Sequence, residues 1–451
     1  MGEFEQAYNM IMQRLPFPLS VGRVCPHPCE ARCRRGQVDE AVSIRHLKRF
    51  AADYAYEHGL EYRPQVGAKK PEHVAVIGAG PAGLSAAWDL VSDGYQVTVF
   101  EALPVAGGML SVGIPEFRLP KKYVQYEIRN IERLGVKIEL NTRITDVDRL
   151  LSTGYKAVLL AIGAHKGGKM GIPGEDMAGV YDAVDFLRAV SLGKPESIGR
   201  RVVIVGGGNS AVDAARVALR QGASEVRILY RREMADMPAY EEEIAAAEDE
   251  GVKIDPLTVP ARILGGGGKV AGIECVKMEL GRFDKSGRRS PKPIEGSGYT
   301  MGVDTVVEAV GQNPDSFVFD GSGLRASESG RLMADERTLA TGKPGVFVAG
   351  DAYSGPASVI EAVAAGQRAA SSIKRYLRGE RLAPTVERNH FVAIPVPATP
   401  PSEEESKPKA RARIDETSLA ERAGNEETVL PYSLRQAMNE ASRCLRCDLQ
   451  V

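Results

Sequence analysis

The chain reads as an α/β protein of two Rossmann-like dinucleotide-binding domains, the second inserted into the first, preceded by a small helical domain rich in cysteine. Three observations predict this. A glycine fingerprint at Gly78, Gly80 and Gly83 lies between two apolar strands, a second one at Gly206, Gly208 and Ala211 repeats it downstream, and Cys25, Cys29 and Cys33 follow one another with three residues between each pair.

The first fingerprint sets the frame. Val74 to Ile77 is a short β-rich apolar run, and after the glycines comes a helical segment, then a second apolar strand ending in Glu101. Gly78 permits the tight turn out of the strand, Gly80 lets the backbone approach a pyrophosphate, and Gly83 allows the helix to pack closely on the strand. The positive end of the helix dipole receives the phosphates. Glu101 stands about twenty residues on, where a carboxylate accepts the ribose hydroxyls of an adenosine.

Composition narrows the partners. A chain of 451 residues suggests several domains with ample cores. Its 58 basic and 59 acidic residues nearly cancel, so no global field draws it to nucleic acid or a membrane. No apolar run is long enough to span a bilayer, and the opening MGEFEQAYNMIMQRLPF lacks the basic-then-apolar pattern of a signal peptide. A cytoplasmic location is therefore expected. Six cysteines are too few for a disulfide scaffold.

Residues 1–72 read as short helices around GRVCPHPCEARC. Three crowded thiols suit an iron–sulfur cluster, with a zinc site as the competing reading. The fourth ligand is open between His27 and a residue of the following helix, SIRHLKRFAADYA.

Residues 73–183 carry the first nucleotide unit. In ALPVAGGMLSVGIPEFRLPKK, Gly107 and Gly108 allow close approach to a ligand while Pro115 and Pro120 stiffen the loop. Tyr155 to Gly168 holds a buried strand ending in Ala161, Ile162 and Gly163, after which the chain crosses into residues 184–314. There Val202 to Val205 leads into the second fingerprint. Where the first unit has its acid, this one has Tyr230, Arg231 and Arg232, and guanidinium groups suit a 2′-phosphate, favouring NADP over NAD. GGGGKV and DKSGRRSPK read as exposed hairpins, and Asp304 to Val310, followed by Gly311, as a strand returning toward the first domain.

Residues 315–383 complete the first domain. An apolar strand ends in Gly350 and Asp351, whose carboxylate can bind hydroxyls of a flavin, and a small-residue helix from about Ser358 aims its N-terminus at the cofactor. The tail, 384–451, is rich in proline and charge and should be extended or disordered unless it lies along another surface. Its last helical stretch delivers Cys444 and Cys447 as C-x-x-C. Two thiols cannot complete a four-ligand site alone, so they join a cluster with cysteines of this chain or a partner, or stand unpaired.

With these motifs in hand, the chain resembles the small, flavin-containing subunit of bacterial glutamate synthase and its relatives, which include the amino-terminal half of dihydropyrimidine dehydrogenase. The matching stretches are GRVCPHPCEARC, VAVIGAGPAGLSAA with Glu101, GGML followed by GIPEFRLP, VVIVGGGNSAVDAAR with YRR and MPA after it, and VFVAGDA. The resemblance implies FAD in the first domain, held by Gly78, Gly80, Pro81, Ala82, Gly83, Glu101, Gly108, Met109, Arg118, Gly163, Gly350 and Asp351. It implies NAD(P)H in the inserted domain, at Gly206, Gly208, Asn209, Ser210, Ala211, Arg231, Arg232 and Gly311, and a [4Fe-4S] cluster on Cys25, Cys29 and Cys33. Relatives often supply Glu or Gln as the fourth cluster ligand; by position that residue here is Lys48, a poor ligand while protonated. EASRCLRC resembles the start of a cysteine-rich segment that in glutamate synthase precedes the nucleotide domains.

The expected activity is that of an NAD(P)H oxidoreductase subunit. The nicotinamide passes a hydride to the flavin, the flavin releases single electrons to the cluster, and the final reaction occurs on a catalytic or iron–sulfur partner subunit, in either direction. No acid–base residue is assigned. A flavin disulfide reductase of the thioredoxin-reductase kind would need a cysteine pair beside the flavin; residues 184–314 contain only Cys275, and Cys444 and Cys447 reach it only if the tail folds back. A scaffold with structural nucleotides sits poorly with two intact fingerprints. An electron-bifurcating flavin subunit is a further reading that the resemblance allows.

Overall fold

A computed structural model describes residues 2–283, 287–315, 321–382 and 407–447. The chain opens with α1 (Phe4–Met12), α2 (Pro18–Val24) and α3 (Ile44–Glu57), which pack on one another; a Cβ at Gly22 would lie 2.9 Å from the Arg49 backbone, so α2 and α3 touch there. Between α2 and α3 run two 3-10 turns, Glu30–Arg32 and Arg34–Gln37, which carry the cysteine motif.

The first nucleotide unit follows as β1 (His73–Ile77), α4 (Pro81–Ser92), β2 (Gln96–Phe100), α5 (Met109–Val112), α6 (Lys121–Arg133), β3 (Lys137–Glu139), α7 (Val147–Ser152) and β4 (Ala157–Leu160). The chain leaves through β5 (Lys166–Gly167). It then builds β6 (Val180–Asp182), α8 (Ala183–Ser191), β7 (Arg201–Val205), α9 (Asn209–Arg220), β8 (Glu225–Leu229), α10 (Glu241–Asp249) and β9 (Lys253–Asp255). Four strands come next: β10 (Thr258–Gly266), β11 (Lys269–Phe283), β12 (Arg289–Pro293) and β13 (Tyr299–Met301). The chain finishes with β14 (Thr305–Glu308), β15 (Gln312–Asn313), β16 (Val346–Val348), α11 (Asp351–Ser354), α12 (Val359–Leu377) and α13 (Leu434–Ala441).

Two parallel five-stranded sheets result, ordered β16-β4-β1-β2-β3 and β6-β14-β7-β8-β9. Their central strands are apolar runs because both faces are covered; β4 is buried at all four positions, whereas the edge strands β3 and β9 begin and end in charged residues. In the second sheet α8, α9 and α10 cover one face, and the antiparallel layer of β10 and β11 covers the other with Ile263, Val270, Ile273 and Cys275.

Two expectations need correction here. The strand from Asp304 does not return to the first domain: Thr305–Glu308 pairs with β7 and β6 inside the second sheet. The return is made by β15, antiparallel to β5, so the two crossing segments lie side by side. A buried TVVE run is equally suited to either sheet, and only its register against Val202–Val205 decides. Likewise β6 stands in the second sheet although it falls within the range 73–183.

The helical domain is fastened to α6. Glu127, 1% exposed, accepts hydrogen bonds from Leu19 N at 2.6 Å, from Ser20 N at 3.3 Å and from Ser20 Oγ, at the first turn of α2. Burial pushes this carboxyl up to about 8, against the pull of the Ser20 and Leu19 donors. A carboxyl raised on folding contributes stability that is full below its unfolded pKa and is lost as pH climbs through the folded value. Thermal unfolding should therefore show the wild type losing on the order of 1–2 kcal/mol more than Glu127→Gln between pH 6 and 9. Parallel pH profiles of the two proteins would contradict this account.

The proline-rich part of the tail, through residue 406, lies outside the described residues. The rest lies along the body. Glu440, fully buried, accepts from Ser43 N and Ala412 N, both at 2.8 Å, and Arg443 pairs with Glu440 at 2.7 Å and Asp39 at 2.9 Å. Glu427 pairs with Arg23 and Arg49, each at 2.8 Å. These contacts hold residues 407–447 of the tail along the body. Among the described residues no helix is long and apolar enough to cross a membrane.

Candidate functional site

The first cradle is built where β1, β2, β4 and β16 end. Gly78 has φ +106°, and a Cβ there would lie 2.4 Å from the Ala161 carbonyl; a Cβ at Gly83 would lie 2.0 Å from the Gly78 carbonyl. Both positions exclude every other residue, and the N-terminus of α4, with Pro81 as its first residue, is left open to phosphate. Glu101 ends β2 and accepts from Ala79 N at 2.8 Å and Leu103 N at 2.9 Å, which turns its carboxylate toward the glycine turn. Burial pushes its pKa up and these amides pull it down.

The other first-domain residues gather around that turn. Gly108, which leads into Met109 at the start of α5, faces Gly80 so closely that a Cβ would lie 2.8 Å from the Gly80 Cα. Gly163 follows β4. Gly350 ends β16 against Ala82, and the next residue, Asp351, is pushed up to about 6 by burial. Ser358 and Glu361 form a capping box at the start of α12, which crosses α4 at Gly366, where a Cβ would lie 2.1 Å from the Ala82 carbonyl. An acid for ribose, an open helix N-terminus and glycines pressed backbone to backbone fit an FAD.

Arg118 does not join this cradle. Its guanidinium pairs with Asp213 at 2.7 Å and with Glu243 at 2.7 Å, both in the second nucleotide unit. Arg216 then links Glu243 at 2.6 Å to Glu250 at 2.7 Å, and Arg220 pairs with Glu250 at 2.7 Å. Phe117 lies under the Arg220 guanidinium, 3.8 Å from its ring centroid. Burial opposes the charge on Arg118, yet Asp213 and Glu243 more than offset it and its pKa is raised. The sequence expectation of Arg118 on the flavin is thus corrected to a link between the two units. A motif fixes the residue, but its partners come from two helices of the second unit, Asp213 on α9 and Glu243 on α10. No local signal could have found Asp213, Glu243 and Glu250 as a set.

The second cradle keeps the same turn. Gly206 has φ +143°, and a Cβ there would lie 2.3 Å from the Ala309 carbonyl, while around Gly208 nothing stands within 4 Å. Asn209 Oδ1 accepts from Tyr240 N at 3.1 Å, Ser210 Oγ accepts from Gln312 Nε2 at 3.0 Å, and Ala211 is buried in α9. The Gly311 carbonyl accepts from Gly168 N at 2.9 Å, where the crossing segments meet. Beyond β8 the arginines part. Arg232 is buried, and its Nε donates to the Arg289 carbonyl at 2.9 Å, which corrects its assignment to the nucleotide. Arg231 is exposed and makes no ion pair among the described residues. Sequence reasoning also passed over Glu308, 1% exposed at the end of β14, pushed up to about 7 by burial with Lys169 at 3.2 Å.

In the helical domain Cys25 is buried at the end of α2, Cys29 is exposed and Cys33 is half-exposed between the two 3-10 turns. His27 has φ +43°, and its ring lies 3.5 Å from Glu30. Burial pushes the Cys29 thiol up, Cys25 and Glu30 add to this, and Lys48 opposes it. The docked tail brings Cys444, exposed, and Cys447, half-exposed, to the same domain. Among the described residues no three His, Cys, Asp or Glu side chains meet as ligands of one metal ion. Cys25, Cys29 and Cys33, free thiols gathered on one short segment, are the soft donors that an iron–sulfur cluster takes.

Residues 72–366 match the pyridine nucleotide-disulphide oxidoreductase family, and residues 1–60 match the 4Fe-4S domain II of dihydropyrimidine dehydrogenase. The NADP(+)-dependent formate dehydrogenase subunit beta of Moorella thermoacetica is 43% identical over 99% of this chain and 67% of its own length. The NADPH-Fe(3+) oxidoreductase subunit beta of Geobacter sulfurreducens is 39% identical, covering 98% and 71%, and the glutamate synthase [NADPH] small chain of Azospirillum brasilense is 35% identical, covering 85% and 83%. Among solved structures, Mycobacterium tuberculosis FprA in complex with NADPH superposes with a TM-score of 0.59 at 22% identity, over 69% of this chain and 85% of that one, a likeness of fold.

Proposed function

This chain belongs to the pyridine nucleotide-disulphide oxidoreductase family, and from that premise we propose that it is the electron-input subunit of a larger redox complex, exchanging electrons between NADPH and a partner subunit. It is a flavin- and iron–sulfur-dependent NAD(P)H oxidoreductase subunit. The carrying observation is the pair of glycine turns on two parallel sheets, with the cysteine domain fastened to both units: to the first through Glu127 and to the second through Arg45 and Glu242 at 2.6 Å. FAD and a [4Fe-4S] cluster, when bound, supply the conversion between hydride and single-electron transfer. The protein's own part is positioning. Glu101 orients the adenosine of the flavin nucleotide, the α4 and α9 N-termini receive phosphates, and Cys25, Cys29 and Cys33 hold the cluster. Relatives named as beta subunits or small chains support a partner, and the catalytic or iron–sulfur subunit on that side carries the final reaction. Six unpaired cysteines suit the reducing cytoplasm.

A disulfide-reductase reading has little support. Cys275, the single cysteine of residues 184–314, is fully buried in the β10–β11 layer, and burial pushes its thiol up to about 12.

Arg231 is assigned to the 2′-phosphate. Arg231→Ala should lower kcat/KM for NADPH about 10- to 100-fold, the range of one charge-assisted contact, and leave NADH within about twofold. An equal loss with both nucleotides would remove Arg231 from the specificity site. The function is tested by anaerobic purification and visible spectroscopy: NADPH should bleach the bound flavin, with about four iron per chain. Flavin without iron would reduce the protein to a simple flavin reductase.

A further inference from the structure

Lys48 is a half-buried cation of the helical domain that pairs with no carboxylate among the described residues. Its neighbours Arg23, Arg35, Arg45 and Arg49 each hold a carboxylate, at 2.5 to 2.8 Å. Lys48, one turn along α3 from Arg45, makes no hydrogen bond or ion pair with any described residue. Burial works against its charge, while Cys25, then Cys29 and after them Glu30 favour it. A buried ammonium without a carboxylate is costly unless an anion completes its surroundings. Arg45, one turn back on α3, donates from Nη1 to the Cys25 carbonyl at 3.2 Å, so this face of α3 looks onto the end of α2 that carries Cys25.

We propose that Lys48 is a positioning residue for the iron–sulfur cluster: its ammonium is the cluster's counter-charge, and it sets the cluster's reduction potential. This rests on the cluster reading above. An ammonium has no lone pair to give to iron, so its part is charge and not ligation. Reduction adds one electron to a group bound through Cys25 and Cys29, and a fixed positive charge beside them favours the reduced form over the oxidised one. In a partly buried site, removing that charge should change the ratio of reduced to oxidised cluster at fixed potential about tenfold, equivalent to about 59 mV for one electron.

The test is an anaerobic redox titration of the whole protein, followed by the electron paramagnetic resonance of the reduced cluster, with iron and sulfide assays on the same samples. Lys48→Met should titrate about 59 mV lower than wild type, and Lys48→Arg, which keeps the charge, should stay near wild type. If Lys48→Met fails to retain iron while Lys48→Arg retains it, the requirement for charge is equally supported. Full iron with an unchanged potential in Lys48→Met overturns the proposal and leaves the cluster in place. Loss of iron in both variants overturns it as well, since charge would then not be what the site needs. Absence of iron from the wild type would instead sink the cluster reading itself.

Discussion

Arg118→Ala should destabilise the second nucleotide unit by about 3–5 kcal/mol, the range for removing one partner of a buried ion pair. Asp213 and Glu243 would both lose the guanidinium that stands 2.7 Å from each, inside a network that continues through Arg216, Glu250 and Arg220. None of these side chains is more than 14% exposed, so water cannot replace the lost cation cheaply. Because Arg118 is carried by the loop after α5 and its partners by α9 and α10, the variant also loosens the orientation of one unit against the other. Hydride transfer from NADPH should slow while FAD content stays at one per chain. Calorimetry with stopped-flow absorbance would check both. Loss of FAD with unfolding unchanged would return Arg118 to the flavin site.

Gly83→Ala should abolish FAD binding in the purified protein, read as the ratio of flavin to protein absorbance. The added carbon would stand 2.0 Å from the Gly78 carbonyl and 3.0 Å from Val76 Cγ1, and Gly78 cannot yield because it is itself pressed on Ala161. Overpacking of this kind costs about 1–3 kcal/mol, spent at the turn that must present its amides to the pyrophosphate. Gly208→Ala is the control. Its carbon meets nothing within 4 Å, so the fold should persist and any loss should be confined to the nicotinamide nucleotide. A Gly83→Ala protein that keeps its flavin would contradict the fit described for the first cradle.

How far the sequence carries can be followed through particular residues. The glycine turns, Glu101, the apolar strands and the cysteine spacing are local patterns, in which each residue type answers to its immediate neighbours in the chain, and the two-domain α/β architecture follows from them. Arg231 and Arg232 show where that ends: adjacent and chemically identical, one faces solvent and the other is drawn inward to the Arg289 carbonyl. The direction of each follows from how β8 emerges beneath the antiparallel layer. Glu308 and Glu127 read as ordinary surface acids until folding buries them. The tail is the largest case: its composition alone favours disorder, and Arg443, Glu440 and Glu427 find their partners only when α3 and the turns before it present Ser43, Asp39, Arg23 and Arg49. Local chemistry, then, determined which cofactors this chain can hold and on what fold. Tertiary structure alone decided which charges link its units, because the energy of a buried ion pair depends on partners that are distant in sequence and on the water their packing excludes.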